Sequence, residues 1–168
     1  VIVTGAADGN ILFWYQTAIE ADSSDEETED EDDRYRATLK WWDSSGTLVR
    51  VQKGKKGTDK QGKPKQFPIH PGGVYGIQLV PETNHILTCG KKGNIILWDL
   101  ITEEGTNLPL LKEVHRLTSK ETFMGGMIPR SMICGGEFAP SKIILGTQGN
   151  EIIEYQISDN QLSVVEGR

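Results

Sequence analysis

Eleven residues near the start of the chain, TGAADGNILFW (4–14), return as TCGKKGNIILW (88–98) and, more altered, as LGTQGNEIIEY (145–155). This threefold recurrence constrains the fold more than any other feature. Gly9 aligns with Gly93, Asn10 with Asn94, Ile11 with Ile95 and Trp14 with Trp98, while Ile152 and Ile153 fall over Ile95 and Ile96. Each copy is an apolar run, a glycine-containing turn and a second apolar run. Val and Ile suit a pleated surface, so each copy reads as a β-hairpin. A unit of this size cannot bury both its faces alone, and repetition lets neighbours cover one another.

The flanks supply two more strands per copy. Before the second hairpin stands HPGGVYGIQLVP (70–81), and before the third stands SMICGGEFAP (131–140). After the hairpins come GTLVRVQ (46–52), LPLLKEV (108–114) and QLSVVEG (161–167). The order strand, hairpin, strand predicts a four-stranded antiparallel sheet, and its recurrence predicts the blades of a β-propeller. No stretch has a helical period. The expected fold is therefore all-β, with about eleven strands in three consecutive blades, the first lacking its inner strand.

The expected division is a first blade over 1–52 with an acidic loop at 17–37, a Gly/Lys-rich loop at 53–69, a second blade at 70–114 and a third, degenerate blade at 128–168. The copies are unevenly spaced, 84 residues from Trp14 to Trp98 and 57 from Trp98 to Tyr155. The acidic and Gly/Lys-rich segments account for most of the first excess, so the blades read as consecutive. LKWWDSSG (39–46) leaves a second register open, because Trp42-Asp43 imitates a blade end and would put the acidic loop inside that hairpin. The chain opens on Val1 within a strand pattern, which suggests a piece of a longer protein.

Charge is distributed unevenly. Residues 20–33 hold ten carboxylates and no base. Without them 18 bases face 14 acids, so a chain of net charge −6 has a body of +4. Such a run is too charged to bury. No run approaches the ~18 apolar residues of a membrane helix. Cys89 and Cys134 match no metal or redox spacing, which points to a reducing intracellular compartment; Cys89 is expected beside a strand, as a small buried residue.

These residues resemble the WD40 family. There a Gly-His precedes the first strand, a Ser or Thr lies on the second, an Asp sits in the turn and Trp-Asp ends the third. The resemblance implies a structural tetrad of His, Ser/Thr, Asp and Trp. The first copy supplies Thr4, Asp8 and Trp14, with Tyr15 in place of the closing Asp. The second supplies His70, Thr88, Trp98 and Asp99, with Lys92 at the turn position. The third has Leu145, Asn150 and Tyr155 at the equivalent places. KIILGTQGNEIIEYQI (142–157) and the preceding PRSMICGG (129–136) are similar to a blade of the echinoderm microtubule-associated protein-like family. That likeness implies a non-enzymatic scaffold at tubulin or microtubules, in the cytoskeleton and the cilium, with the remaining blades supplied by the same longer chain. A general WD40 adaptor in another intracellular assembly is the alternative.

Candidate sites outside the repeat are few. The Gly/Lys-rich segment carries Lys53, Lys55, Lys56, Lys60, Lys63 and Lys65, which attract any polyanion, including acidic tubulin tails. Nucleic acid is disfavoured because no aromatic interleaves these lysines to stack bases. GTDKQGK (57–63) matches seven positions of a phosphate-binding loop, but Pro64 stands where Ser or Thr would hold Mg²⁺ and no helix follows. Nucleotide binding there is the alternative of another class. His70, His85 and His115 have no carboxylate or Cys at ligand spacing, and no nucleophile, base and orienting acid can be assembled. No cofactor, metal or membrane is expected. Ser23, Ser24 and Thr28 each have an acid three residues on, which suits an acid-directed kinase. The acidic run is otherwise a solubilising loop.

Overall fold

The structure, a computed structural model, describes residues 1–16, 47–105, 108–122, 127–135, 139 and 141–165. The described residues form thirteen strands and no helix. Strands β1 (Ile2–Gly5), β2 (Ile11–Gln16) and β3 (Thr47–Gln52) make a three-stranded antiparallel sheet. Strands β4 (Lys56–Thr58) and β5 (Pro64–Gln66) pair only with each other. A four-stranded sheet follows from β6 (Val74–Leu79), β7 (His85–Gly90), β8 (Ile95–Thr102) and β9 (Pro109–Leu117). A second one is built from β10 (Pro129–Cys134), β11 (Lys142–Thr147), β12 (Ile152–Ser158) and β13 (Gln161–Val164). In each sheet the chain steps to the adjacent strand, an arrangement compatible with a stretch of a β-propeller. The direct pairing of β2 with β3 carries the acidic segment in the connection between them.

The turn between the repeated strands has one geometry in all three copies. Ala6 N donates to Asn10 O, Gly90 N to Asn94 O and Thr147 N to Glu151 O, at 3.0, 3.1 and 2.9 Å. The fourth turn residue on from each of these donors' neighbours must adopt a left-handed backbone: Gly9 has φ +85°, Gly93 +77° and Asn150 +61°. Glycine meets that demand without strain, and asparagine is the side chain that tolerates it best. Asn150 thus stands at the place of Gly9 and Gly93, one position after the Asp8 place expected for it, and keeps the turn.

Strand alternation divides the middle sheet between two cores. Leu87, Cys89, Ile95 and Leu97 pack with Ile143, Leu145 and Tyr155 of the third sheet. Ile86, Ile96 and Trp98 pack with Ile11 and Phe13 of the first. Both faces of β7 and β8 are thus covered, which is why their sequences are nearly unbroken apolar runs. Cys89 is buried as expected, but it lies within β7 and not beside a strand. Burial pushes its thiol up to about 12, so it behaves as a small core side chain. The third sheet leaves its far face open, with Ile133 64% and Ile152 78% exposed.

Polar ties fix the sheets against one another. The Gln52 amide donates to Leu111 O at 2.6 Å and accepts from Leu111 N at 2.8 Å, joining β3 to β9. Arg50 pairs with Glu103 at 2.9 Å across the same junction. Leu162 N donates to His115 Nδ1 at 3.1 Å, joining β13 to β9. One expectation needs correction: residues 53–69 are not simply a loop, because β4 and β5 form an ordered hairpin there.

Candidate functional site

The lysine hairpin is braced from within by Asp59. Its Oδ1 accepts from Gln61 N and from Lys63 N, each at 2.9 Å. Asp59 N donates to Lys63 O at 2.9 Å, and Gly62 N donates to Asp59 O at 3.0 Å. An aspartate in a turn often takes its own following amides in this way. Four amides of GTDKQGK, those of Asp59, Gln61, Gly62 and Lys63, are therefore already bonded, two of them to the Asp59 carboxylate. This geometry works against a phosphate-binding loop.

All six lysines, at 53, 55, 56, 60, 63 and 65, are exposed. Among the described residues none of them forms an ion pair. The chain returns through Phe67, whose ring lies across Gly57 of β4: a Cβ added to Gly57 would stand 2.8 Å from Phe67 Cε2. Lys65 Nζ sits 5.7 Å from the ring centroid. No aromatic interleaves these lysines in the sequence, but Phe67 follows them and lies beside them in the fold, 39% exposed.

Beside the hairpin, between the first and second sheets, opens a cleft of about 510 Å³. Its floor includes Ile69, Trp98 and Leu111, and Phe67 forms one wall. Lys53 and Lys55 stand on its rim together with Glu113 and Arg116. Arg116 grips Glu113 through two bonds, of 3.0 and 2.7 Å. The bond from Arg116 is the largest cause holding the Glu113 carboxyl below its usual value. That pair is internally neutral, so the excess charge at the rim is the positive charge of Lys53 and Lys55.

Under the cleft lies the polar cluster implied by the family likeness. Trp98 Nε1 donates to Thr88 Oγ1 at 2.7 Å, and His70 Nε2 lies 2.7 Å from the same oxygen. All three residues are buried. His70 is held in place by its own backbone, whose N donates to Gly9 O at 2.9 Å. Among the described residues His70 Nδ1 has no hydrogen-bond partner. Lys92, at the turn position where the family has Asp, offers no acceptor. Burial, aided by Arg116 and opposed by Glu113, lowers the His70 imidazole to about 4.

The first copy brings together Thr4 and Trp14 only, with Trp14 Nε1 donating to Thr4 Oγ1 at 2.8 Å. Asp8 stands apart from them, which corrects its assignment to a buried cluster. Its exposed carboxylate accepts from Asn10 N at 3.0 Å and from Asn10 Nδ2 at 2.9 Å, bonds that lower its pKa. Asp8 therefore stiffens the turn. The third copy contains a contact that sequence reasoning missed. With Leu145 at the place of Thr88, Tyr155 finds no hydroxyl at that place on β11. Its Oη donates instead to Thr122 O at 2.7 Å. Thr122 precedes β10 as His70 precedes β6, and both are buried. No spacing in the sequence signalled it, since Thr122 stands seven residues ahead of β10 and His70 four ahead of β6.

Ser23, Ser24, Thr28 and the acidic run lie outside the described residues. No group of three His, Cys, Asp or Glu side chains gathers among the described residues in a way that could hold a metal ion. No protein-family model matches the chain, and comparison with curated proteins finds no match.

Proposed function

We propose that the chain is an arc of a WD40-type β-propeller that serves as a non-enzymatic scaffold. On this reading its lysine hairpin contacts the acidic surface or tails of tubulin. Further blades come from the same longer chain, because three sheets do not close a ring. The protein then works in the cytoplasm on the cytoskeleton, including the axoneme, and its function calls for no cofactor. The observation that carries the reading is the hairpin: six exposed lysines, without ion pairs among the described residues, on a turn braced by Asp59. A braced hairpin presents its charges in one arrangement, so less ordering is needed on binding.

Microtubule co-sedimentation tests this. Replacing the six lysines with Gln should strongly reduce pelleting without changing the melting temperature. Pelleting of the parent should weaken as salt rises to physiological strength, where the Debye length is about 8 Å. If the lysine-free protein pellets normally at low salt, the hairpin is a spacer. The general adaptor reading then takes precedence.

A further inference from the structure

We infer that the cleft beside the lysine hairpin seats one apolar side chain of an acidic peptide segment, so that its partner carries an aromatic or aliphatic residue flanked by carboxylates. The inference rests on the scaffold reading above and adds the chemistry of the partner at the same place.

Three observations carry it. The cleft has an apolar floor of Ile69, Trp98 and Leu111, with Phe67 as a wall. Its volume of about 510 Å³ exceeds what one side chain needs. Phe67 is kept half-exposed by its packing on Gly57 and stays at the cleft mouth. The rim is then one-signed. Glu113 is consumed by Arg116, and Lys53 and Lys55 remain. A lysine-only surface would bind any polyanion with little discrimination. An apolar slot beside it selects those polyanions that carry a side chain to fill it, because that side chain gains burial only here. Interfaces commonly join a desolvated anchor to a charged rim in this way.

The cleft is also firmly built. The two bonds between Gln52 and Leu111 hold its sides together, and Thr88 fixes the Trp98 indole. An incoming side chain therefore meets a preformed slot.

The test uses the whole chain and two synthetic probes. One is a short poly-glutamate peptide with a single central phenylalanine, and the other is the same peptide with serine in that place. The phenylalanine peptide should bind about tenfold more tightly, equivalent to about 1.4 kcal/mol. Lys53→Gln with Lys55→Gln should weaken both peptides. Phe67→Ser should erase the difference between them and leave the serine peptide's affinity unchanged. Should Phe67→Ser disturb the hairpin, the Trp98 indole N–H resonance of the parent protein decides. It should move with the phenylalanine peptide and not with the serine peptide.

Equal binding of the two peptides, or binding of neither, overturns the inference. So does tighter binding of a single-stranded oligonucleotide at the same lysines, which makes nucleic acid the occupant. Dimerisation that Phe67→Ser abolishes, without peptide binding, makes a second copy the occupant and also overturns it. Failure of the scaffold reading is scored separately, by sedimentation of the six-lysine variant. Two peptides that bind equally but depend on the lysines leave that reading intact.

Discussion

Thr88 Oγ1 receives the indole N–H of Trp98 and lies 2.7 Å from His70 Nε2, so a single buried hydroxyl ties β7 to β8 and to the segment ahead of β6. Thr4 and Trp14 repeat the first of these bonds, but there Trp14 is 38% exposed. Thr88→Val should therefore cost about 2–4 kcal/mol, because two buried polar groups lose their partner. Thr4→Val should cost less than about 1 kcal/mol, because water can reach the indole that it frees. Urea unfolding of the two variants checks the difference, and equal losses would contradict it. Asp8→Ala should cost less than Thr88→Val, since its bonds lie in an exposed turn.

The buried imidazole sets a pH dependence. His70 is lowered to about 4 by burial from an ordinary 6.5. Between these values the unfolded chain binds a proton there that the folded chain does not. Stability should be full above pH 6.5 and should fall as pH drops toward 4, by on the order of 3 kcal/mol. Glu113, held below its usual 4.5, contributes in a lower window, and its contribution is lost only as pH falls beneath that value. His70→Gln should flatten the profile between pH 6.5 and 4. A slope unchanged by that substitution would show that another group causes it.

Gly90 makes room for the same ring. A Cβ there would lie 2.5 Å from His70 Cβ and from Nδ1. Both are closer than real contacts allow, and His70 is pinned from the other side by Gly9 O. Gly90→Ala should destabilise by about 1–3 kcal/mol through overpacking. It should also shift the Trp98 indole N–H resonance, because the strain passes through Thr88. A normal melting temperature in this variant would mean that the imidazole can move aside.

Asp59→Ala removes the acceptor for two amides in the lysine hairpin. The effect should be local. Hydrogen exchange of the Gln61 and Lys63 amides should rise, while the melting temperature stays unchanged, because β4 and β5 pair only with each other. Microtubule pelleting should fall less than in the six-lysine variant, since the charges remain and only their arrangement loosens. Unaltered exchange at both amides would show that the turn holds without the carboxylate.

The sequence by itself determined the three sheets. An apolar run, a turn and a second apolar run written three times specify the repeated hairpins, while the register left open at LKWWDSSG (39–46) was decided only by the pairing of β2 with β3. The Thr88 and Trp98 pairing was implied by the likeness to the WD40 family, not by register, which sets Thr88 opposite Ile96 and Trp98 opposite Ile86. Long-range placement was not legible. Asp8 had the right type and position for a buried cluster, but its exposed carboxylate accepts from Asn10 N and Nδ2 in its own turn. The lysine segment looked like a loop because its strands have only three residues each, too few to show a period. Only tertiary structure could show that Asp59 occupies its amides. The pairing of β8 with β9 sets Trp98 near Leu111, and only the path of the chain after β5 brings Phe67 to the same cleft. Phe67 stands 31 positions from Trp98 in the sequence, and no local propensity encodes where a returning segment meets a sheet.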